Sequence, residues 1–402
     1  MDSAERTVTA VVTLGGERLG QVGPFPVTTP RWQDVAPVVR ELERLLGVPA
    51  LVLRLVRAEG GDGCSGGHVV YHAEALGRPA RPLADGGIPL DEDPLRAAWA
   101  TADGLLGALA WAEEVLAAAG RPATGPAEQL RTWNLSGLLR IPTAHGPVWL
   151  KTTPPFGADE SGPIGLVASV DADLVPAVLG SAEGRLLLEH VPGVDCWGLP
   201  DDAMLGAVAR TVAVQARLAG RAMPALRDAS PRRLPARFGE LLPRLDDLAA
   251  EERAAAERLL ARLPVLTGAL EACGLPDTLV HGDFHPGNWR SDGRRTVVVD
   301  FSDAYLGHPA FDGLRPRPFL SAERWEDVRA LWERSWSAAV PGCDPGRALE
   351  LARPLVHLSY AVRYQEFLDG IERSERVYHE GDPAAEVRRA LAAAEAATAS
   401  GR

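Results

Sequence analysis

An α+β protein, with a β-rich part followed by a helical part, is the fold class the sequence predicts. Three observations lead there. Runs of β-branched and apolar residues cluster in the first half of the chain, whereas from about residue 202 apolar residues recur at helical spacing. A single island of β-type sequence, 278–301, interrupts the helical half. The chain has 402 residues, too many for one ordinary core, so two or three domains or lobes are expected.

Taken in order, residues 1–76 read as a small α/β unit. RTVTAVVTL (6–14), PALVLRLV (49–56) and HVVYHAEAL (68–76) are strand-like, RWQDVAPVVRELERLL (31–46) is an amphipathic helix, and GGDGCSGG (60–67) is a flexible loop. GRPARPLADGGIPLDEDP (77–94) has the composition of a linker. REL (40–42) followed by GV (47–48) resembles part of the Nudix box, but Arg44 and Leu45 stand where paired glutamates would hold metal. Residues 1–100 are therefore expected to form an accessory domain and linker without chemistry of their own. LRAAWATADGLLGALAWAEEVLAAAG (95–120) is helical. WNLSGLLRIPTAHGPVWLKT (133–152) is a β-hairpin turning at His145–Gly146, and EGRLLLEHVPG (183–193) is a strand with a sharp exit. The segments 202–220 and 234–272 carry helical periodicity, and the Ala-rich last residues read as a fraying helix end.

Composition excludes several classes. With 46% hydrophobic and 24% charged residues the chain is globular, and a formal charge of −12 without basic patches excludes nucleic acid as a partner. No apolar run is long enough to span a membrane, and the start has no signal-peptide pattern. The cysteines, Cys64, Cys196, Cys273 and Cys343, are widely spaced and read as free thiols of a cytoplasmic enzyme.

The island carries the chemistry. In TLVHGDFHPGNWRSDGRRTVVVD (278–300), Asp292–Gly293 is a hairpin turn signal. Closing that hairpin brings Asn288 and Asp300 together, with Asp283 presented from the loop just before. One amide and two carboxylates suit Mg²⁺, which takes one or two protein oxygens and leaves its other positions to phosphate and water. Phosphoryl transfer needs that arrangement plus a carboxylate to orient and deprotonate the attacking hydroxyl.

HGDFHPGN (281–288) followed by VVVDFSDAYLGHPAFD (297–312) resembles the signature of the aminoglycoside phosphotransferase/choline kinase-like family. The resemblance implies a protein-kinase-like bilobal fold, with a β-rich N-lobe and hinge over 101–193 and a helical C-lobe over 194–402, behind the extra small N-terminal α/β domain. It implies Asp283 as catalytic base, Asn288 and Asp300 as Mg²⁺ ligands, and Lys151, the only lysine of the chain, on the α- and β-phosphates of ATP or GTP. Backbone around Glu189, His190 and Val191 would be the hinge that bonds the nucleotide base. The nucleotide-covering loop, NLSGLL (134–139), departs from a glycine-rich pattern, so phosphate contact would run through Ser136 and Gly137. Glu160 is the nearest acid to pair with Lys151, although ESGPIGLVASV (160–170) is a poor helix. His308 stands where an acid is common, and Asp312 would fix the catalytic loop.

Bland roles are expected for the neighbours. His281 buttresses the loop, His285 packs beside Pro286, Trp289 belongs to the core, and Arg315 and Arg317 are solvated loop residues. Glu366, Asp369 and Glu372 are the candidates for gripping a cationic acceptor, yet Arg363, Arg373 and Arg376 are mixed among them and favour a less cationic one. The function expected is an O-phosphotransferase, a kinase with an alcohol group as acceptor, acting on an aminoglycoside- or nucleoside-type antibiotic in resistance or self-protection. A kinase of a sugar or amino-alcohol metabolite, and a nucleotide-binding pseudokinase, are the alternatives.

Overall fold

A computed structural model describes the backbone of residues 6–400 and the side chains of residues 6–396; sequence readings at the two extremities lie outside the described residues. The chain divides into two compact units, one of Met1–Phe156, Val178–His190 and Phe367–Glu380, the other of Gly157–Ala177, Val191–Glu366 and Gly381–Arg402.

The first unit contains two sheets. Strands β1 (Arg6–Leu14), β2 (Glu17–Val27), β3 (Ala50–Glu59) and β4 (Gly67–Ala75) form a sheet in the order β2-β1-β4-β3, β1 and β4 running parallel. Helix α1 (Ala36–Leu46) stops at Gly47, whose φ of +72° closes it. It buries Val38, Leu42 and Leu46 against β-branched residues of the sheet. Strand β2 lies in a stretch with the look of a loop, because Gly20, Gly23, Pro24 and Pro26 break its pattern. Each glycine has a reason: a Cβ at Gly20 would lie 2.6 Å from the Ala84 carbonyl oxygen, and at Gly23 2.4 Å from that of Val8.

The second sheet has the order β5-β6-β7-β9-β8, from β5 (Glu128–Trp133), β6 (Ser136–Ile141), β7 (Val148–Thr152), β8 (Val178–Ala182) and β9 (Arg185–Glu189). Helix α2 (Ala102–Ala118) starts at Thr101, whose hydroxyl accepts the Gly104 N–H at 3.1 Å. Its Leu105, Ala108, Ala112 and Leu116 recur at helical spacing and pack with Leu139, Leu150 and Leu187 of the sheet. Each of those leucines is fully buried, which stabilises the unit by about 2 kcal/mol apiece. The sheets are joined by buried polar contacts. Gln129 of β5 bonds both backbone groups of Val52 at a bulge in β3, and Glu375 accepts the Leu55 N–H at 2.8 Å.

The second unit is mostly helical: α3 (Ser161–Ala168), α4 (Asp201–Leu218), α5 (Leu234–Leu241), α6 (Ala250–Glu271), α7 (Ala310–Leu314), α8 (Ala322–Ala339), α9 (Pro345–Gly370, its last residues in the first unit) and α10 (Asp382–Ser400). Despite its glycines and proline, the segment after Glu160 is helical, because Pro163 falls in the first turn, where no N–H is required. On α8, Trp325, Val328, Trp332 and Trp336 form one buried stripe. The β island supplies β12 (Trp289–Ser291) and β13 (Thr296–Val298), joined by the two-residue strand β10 (Val194–Asp195), and β11 (Thr278–Val280), which pairs antiparallel with β14 (Tyr305–Gly307).

Candidate active site

Strand β11 delivers His281, Gly282 and Asp283 to one point. Gly282 has φ +86°, and a Cβ there would lie 2.5 Å from the Asp303 carbonyl oxygen, so only glycine fits. Asp312, at the start of α7, accepts the backbone N–H groups of His281 at 2.7 Å and Gly282 at 3.0 Å, and the Gln215 amide at 2.8 Å. Burial pushes its pKa up to about 7 against those donors. His281 completes the brace: its Nδ1 accepts the Asp283 N–H at 3.2 Å, so its Nε2 donates to the Val299 carbonyl at 3.0 Å.

The Asp283 carboxylate is held by three side chains. Asn288 donates through Nδ2 to both the Asp283 carbonyl and Oδ2, each at 2.9 Å. His285 Nε2 lies 3.2 Å from Oδ2, while its Nδ1 accepts the Gly287 N–H. Arg315 grips Oδ1 with Nε at 2.8 Å and Nη2 at 2.6 Å. Burial alone would raise this carboxyl; the His285 bond and the Arg315 guanidinium outweigh it and hold it well below the usual carboxylate range. Such a group is a weak base that stays ionised, suited to orienting a hydroxyl rather than removing its proton early.

Arg315 corrects the expectation of a solvated loop position. It sits at the C-terminal end of α7, stacked over the rings of Phe319 and Tyr360 at 5.0 Å each, whereas Arg317 is exposed. Sequence reasoning missed it because its partner lies 32 residues away with no local pattern. His285 likewise does more than pack beside Pro286: it touches Asp283 and lies in an aromatic group with Trp197 and Phe319. Trp289 is fully buried.

The hairpin β12–β13 closes at Asp292–Gly293, and the Val299 N–H bonds the Asn288 carbonyl at 2.9 Å, which sets Asp300 beside Asn288. Asp300 has φ +68°, a strained conformation for a residue with a side chain, and accepts the Ser302 hydroxyl at 2.7 Å. With both Asn288 Nδ2 hydrogens committed, its Oδ1 and the Asp300 carboxylate are a pair of hard oxygen donors. They fit a Mg²⁺ ion that keeps water and phosphate as its other ligands. Among the described residues no group of three or more His, Cys, Asp or Glu side chains gathers into a metal cage. Glu160 is buried and accepts the Phe301 N–H at 2.9 Å, next to Asp300.

The other sequence candidates fall as follows. In the first unit, Lys151 is buried on β7, opposite Leu138 and Leu186. Gly137 donates to Thr152 Oγ1 at 2.9 Å, and Ser136 Oγ accepts the Trp133 indole N–H at 3.1 Å. Glu189 pairs with Arg121, and His190 accepts the Trp149 indole N–H at 3.0 Å. The chain passes between the units at His190–Val191. Of the acids proposed for the acceptor, Glu366 is bound by Arg227, Arg237 and Arg363, Glu372 is buried with Arg54 and Arg96, and Asp369 is exposed.

Residues 165–315, which carry the loop, the hairpin and α7, match the model of the phosphotransferase enzyme family. The chain is a small-molecule phosphotransferase. No curated protein matches it. Among solved structures, the phosphotransferase is similar to a protein described as a fructosamine-3-kinase from Thermobifida fusca. Identity is 20% and the TM-score 0.50, over 69% of this chain and 97% of that one. It is also similar to choline kinase from Cryptosporidium parvum, at 9% identity and a TM-score of 0.50, over 69% and 90%. The likeness is one of fold: the phosphotransferase shares their kinase-like combination of a β-sheet lobe and a helical region.

Proposed function

We propose that the protein transfers the γ-phosphoryl group of ATP or GTP to a hydroxyl of a small molecule, with Asp283 as the catalytic base. The observation that carries this reading is the Asp283 carboxylate, held ionised by Arg315 and aligned by Asn288 beside Asp300. The acceptor hydroxyl donates its proton to Asp283 as its oxygen bonds the γ-phosphorus; the bond from that phosphorus to the bridging oxygen breaks, and the nucleoside diphosphate leaves. Asn288 Oδ1 and Asp300 would hold Mg²⁺, which when bound neutralises phosphate charge. We assign Lys151 to the α- and β-phosphates: a compact, rotatable ammonium suits them where a planar guanidinium would not.

The acceptor we favour is nucleoside- or sugar-like rather than polycationic, whether antibiotic or metabolite. Three guanidiniums around Glu366 leave that acid without the spare charge an aminoglycoside clamp needs. The test incubates the protein with Mg²⁺ and ATP or GTP against hydroxylated antibiotics, nucleosides, sugars and amino alcohols. Acceptor-dependent nucleotide consumption, with a product heavier by one phosphoryl group, is expected. Tight nucleotide binding with no product from any acceptor would replace this reading with the pseudokinase.

A further inference from the structure

The first unit holds a half-open cavity of about 620 Å³ that the phosphotransfer chemistry does not use. Its lining includes the apolar Trp99, Trp133, Pro155, Phe156 and Ile371 and the charged Arg96, Glu372 and Glu375. Strand alternation separates it from Lys151. Thr152, which lines the cavity, lies with Leu150 and Leu139 on the face that α2 covers, whereas Lys151 shares the opposite face with Leu138 and Leu186. A Cβ at Gly137, cross-strand from Thr152, would meet Trp99 at 3.4 Å, which fixes that side of the sheet.

The two acids differ in their partners. Glu372 is answered by Arg54 at 3.4 Å and Arg96 at 3.2 Å. Glu375 is only 3% exposed; its Oε1 accepts the Leu55 N–H, and its buried Oε2 has no partner among the described residues. An unanswered buried carboxyl oxygen is costly, and Glu375 is one of the residues lining this aromatic-walled space, which is large enough for a small organic ligand. We propose that this cavity binds an organic cation, an ammonium group on an aromatic or aliphatic body, with the ammonium against Glu375 and the body along Trp99, Trp133 and Phe156. Burial, with Glu372 nearby, pushes the Glu375 carboxyl up to about 8 despite the Leu55 bond and the charge of Arg54. An ammonium favours its ionised form, so affinity rises with pH and levels off above that value.

The test uses dansylcadaverine, a fluorescent primary amine, and its neutral N-acetyl derivative, titrated into the full chain with and without saturating Mg²⁺–ATP. Saturable binding with a Kd of about 100 µM or tighter is expected, unaffected by nucleotide and weakened about tenfold or more by N-acetylation. Glu375→Gln, which keeps an acceptor for Leu55, should weaken the amine to the level of the acetylated probe. Gly107→Phe should abolish both, since Gly107 lines the cavity and a Cβ there meets nothing within 4 Å. Unchanged thermal melts show that both variants fold. Absence of saturable binding, displacement by ATP, or wild-type affinity in Glu375→Gln would each overturn the proposal.

Discussion

Replacing Arg315 by methionine keeps the apolar stem between Phe319 and Tyr360 and deletes the charge that grips Asp283. The guanidinium and carboxylate centres are about 4 Å apart, worth ~4 kcal/mol at an effective dielectric of ~20, or about 3 pKa units. The Asp283 side chain is 29% exposed, so solvent screening reduces this to about half. Asp283 in the variant should therefore titrate about 1–2 units higher. The sign follows from its role: a base must be ionised, so the acid limb of the kcat profile moves up in pH when Arg315 is removed. At pH 7.5 the carboxyl is ionised in both proteins. What remains there is lost orientation, since only Asn288 and His285 still hold it, and kcat should fall about 10–100-fold. Steady-state release of the nucleoside diphosphate from pH 4.5 to 8.5 measures the lost orientation, and an NMR titration of the Asp283 carboxyl carbon in both proteins, carried to lower pH, measures the shift. A variant within about twofold of wild type at every pH would refute Arg315 as the residue that positions the base.

Two further outcomes follow from the same geometry. Lys151→Arg should lower kcat/KM for the nucleotide about 100-fold, because the bulkier fork must enter a buried strand position; unaltered turnover would make the lone lysine incidental. Burial holds the His308 imidazole neutral, its pKa lowered to about 3, and its Nδ1 accepts the Ala310 N–H. The unfolded chain binds a proton there below pH ~6.5 and the folded chain does not, so this stability is present above 6.5 and is lost as pH falls toward 3. Relative to His308→Asn, which keeps an acceptor, the wild type should lose up to about 1.4 kcal/mol per pH unit below 6.5 in urea titrations. Parallel curves would refute the burial argument.

Local chemistry made much of this structure legible. The Asp292–Gly293 turn and its flanking apolar runs fix the hairpin that sets Asn288 near Asp300, and the alternation around His145–Gly146 gives the β6–β7 hairpin. What stayed hidden depends on distant partners. Strand β2 owes its glycines to the backbones of Val8 and Ala84, and Arg315 owes its place to Asp283. Glu375 is one of a row of charges in the sequence; only the Leu55 amide and the cavity distinguish it. The acidic run 366–372 read as a possible clamp because, beside the nearby Arg363, most of its arginine partners come from elsewhere in the chain, Arg227 and Arg237 for Glu366, Arg54 and Arg96 for Glu372.

The central claim is that Asp283 is the base of a phosphoryl transfer. The most direct measurement pairs, in one preparation of Asp283→Ala, the rate of γ-phosphoryl transfer to an accepted hydroxyl with the nucleotide dissociation constant. Loss of transfer by about 10³-fold or more, with nucleotide affinity kept within a few-fold, is the expected result. Transfer at a near-normal rate would contradict the account.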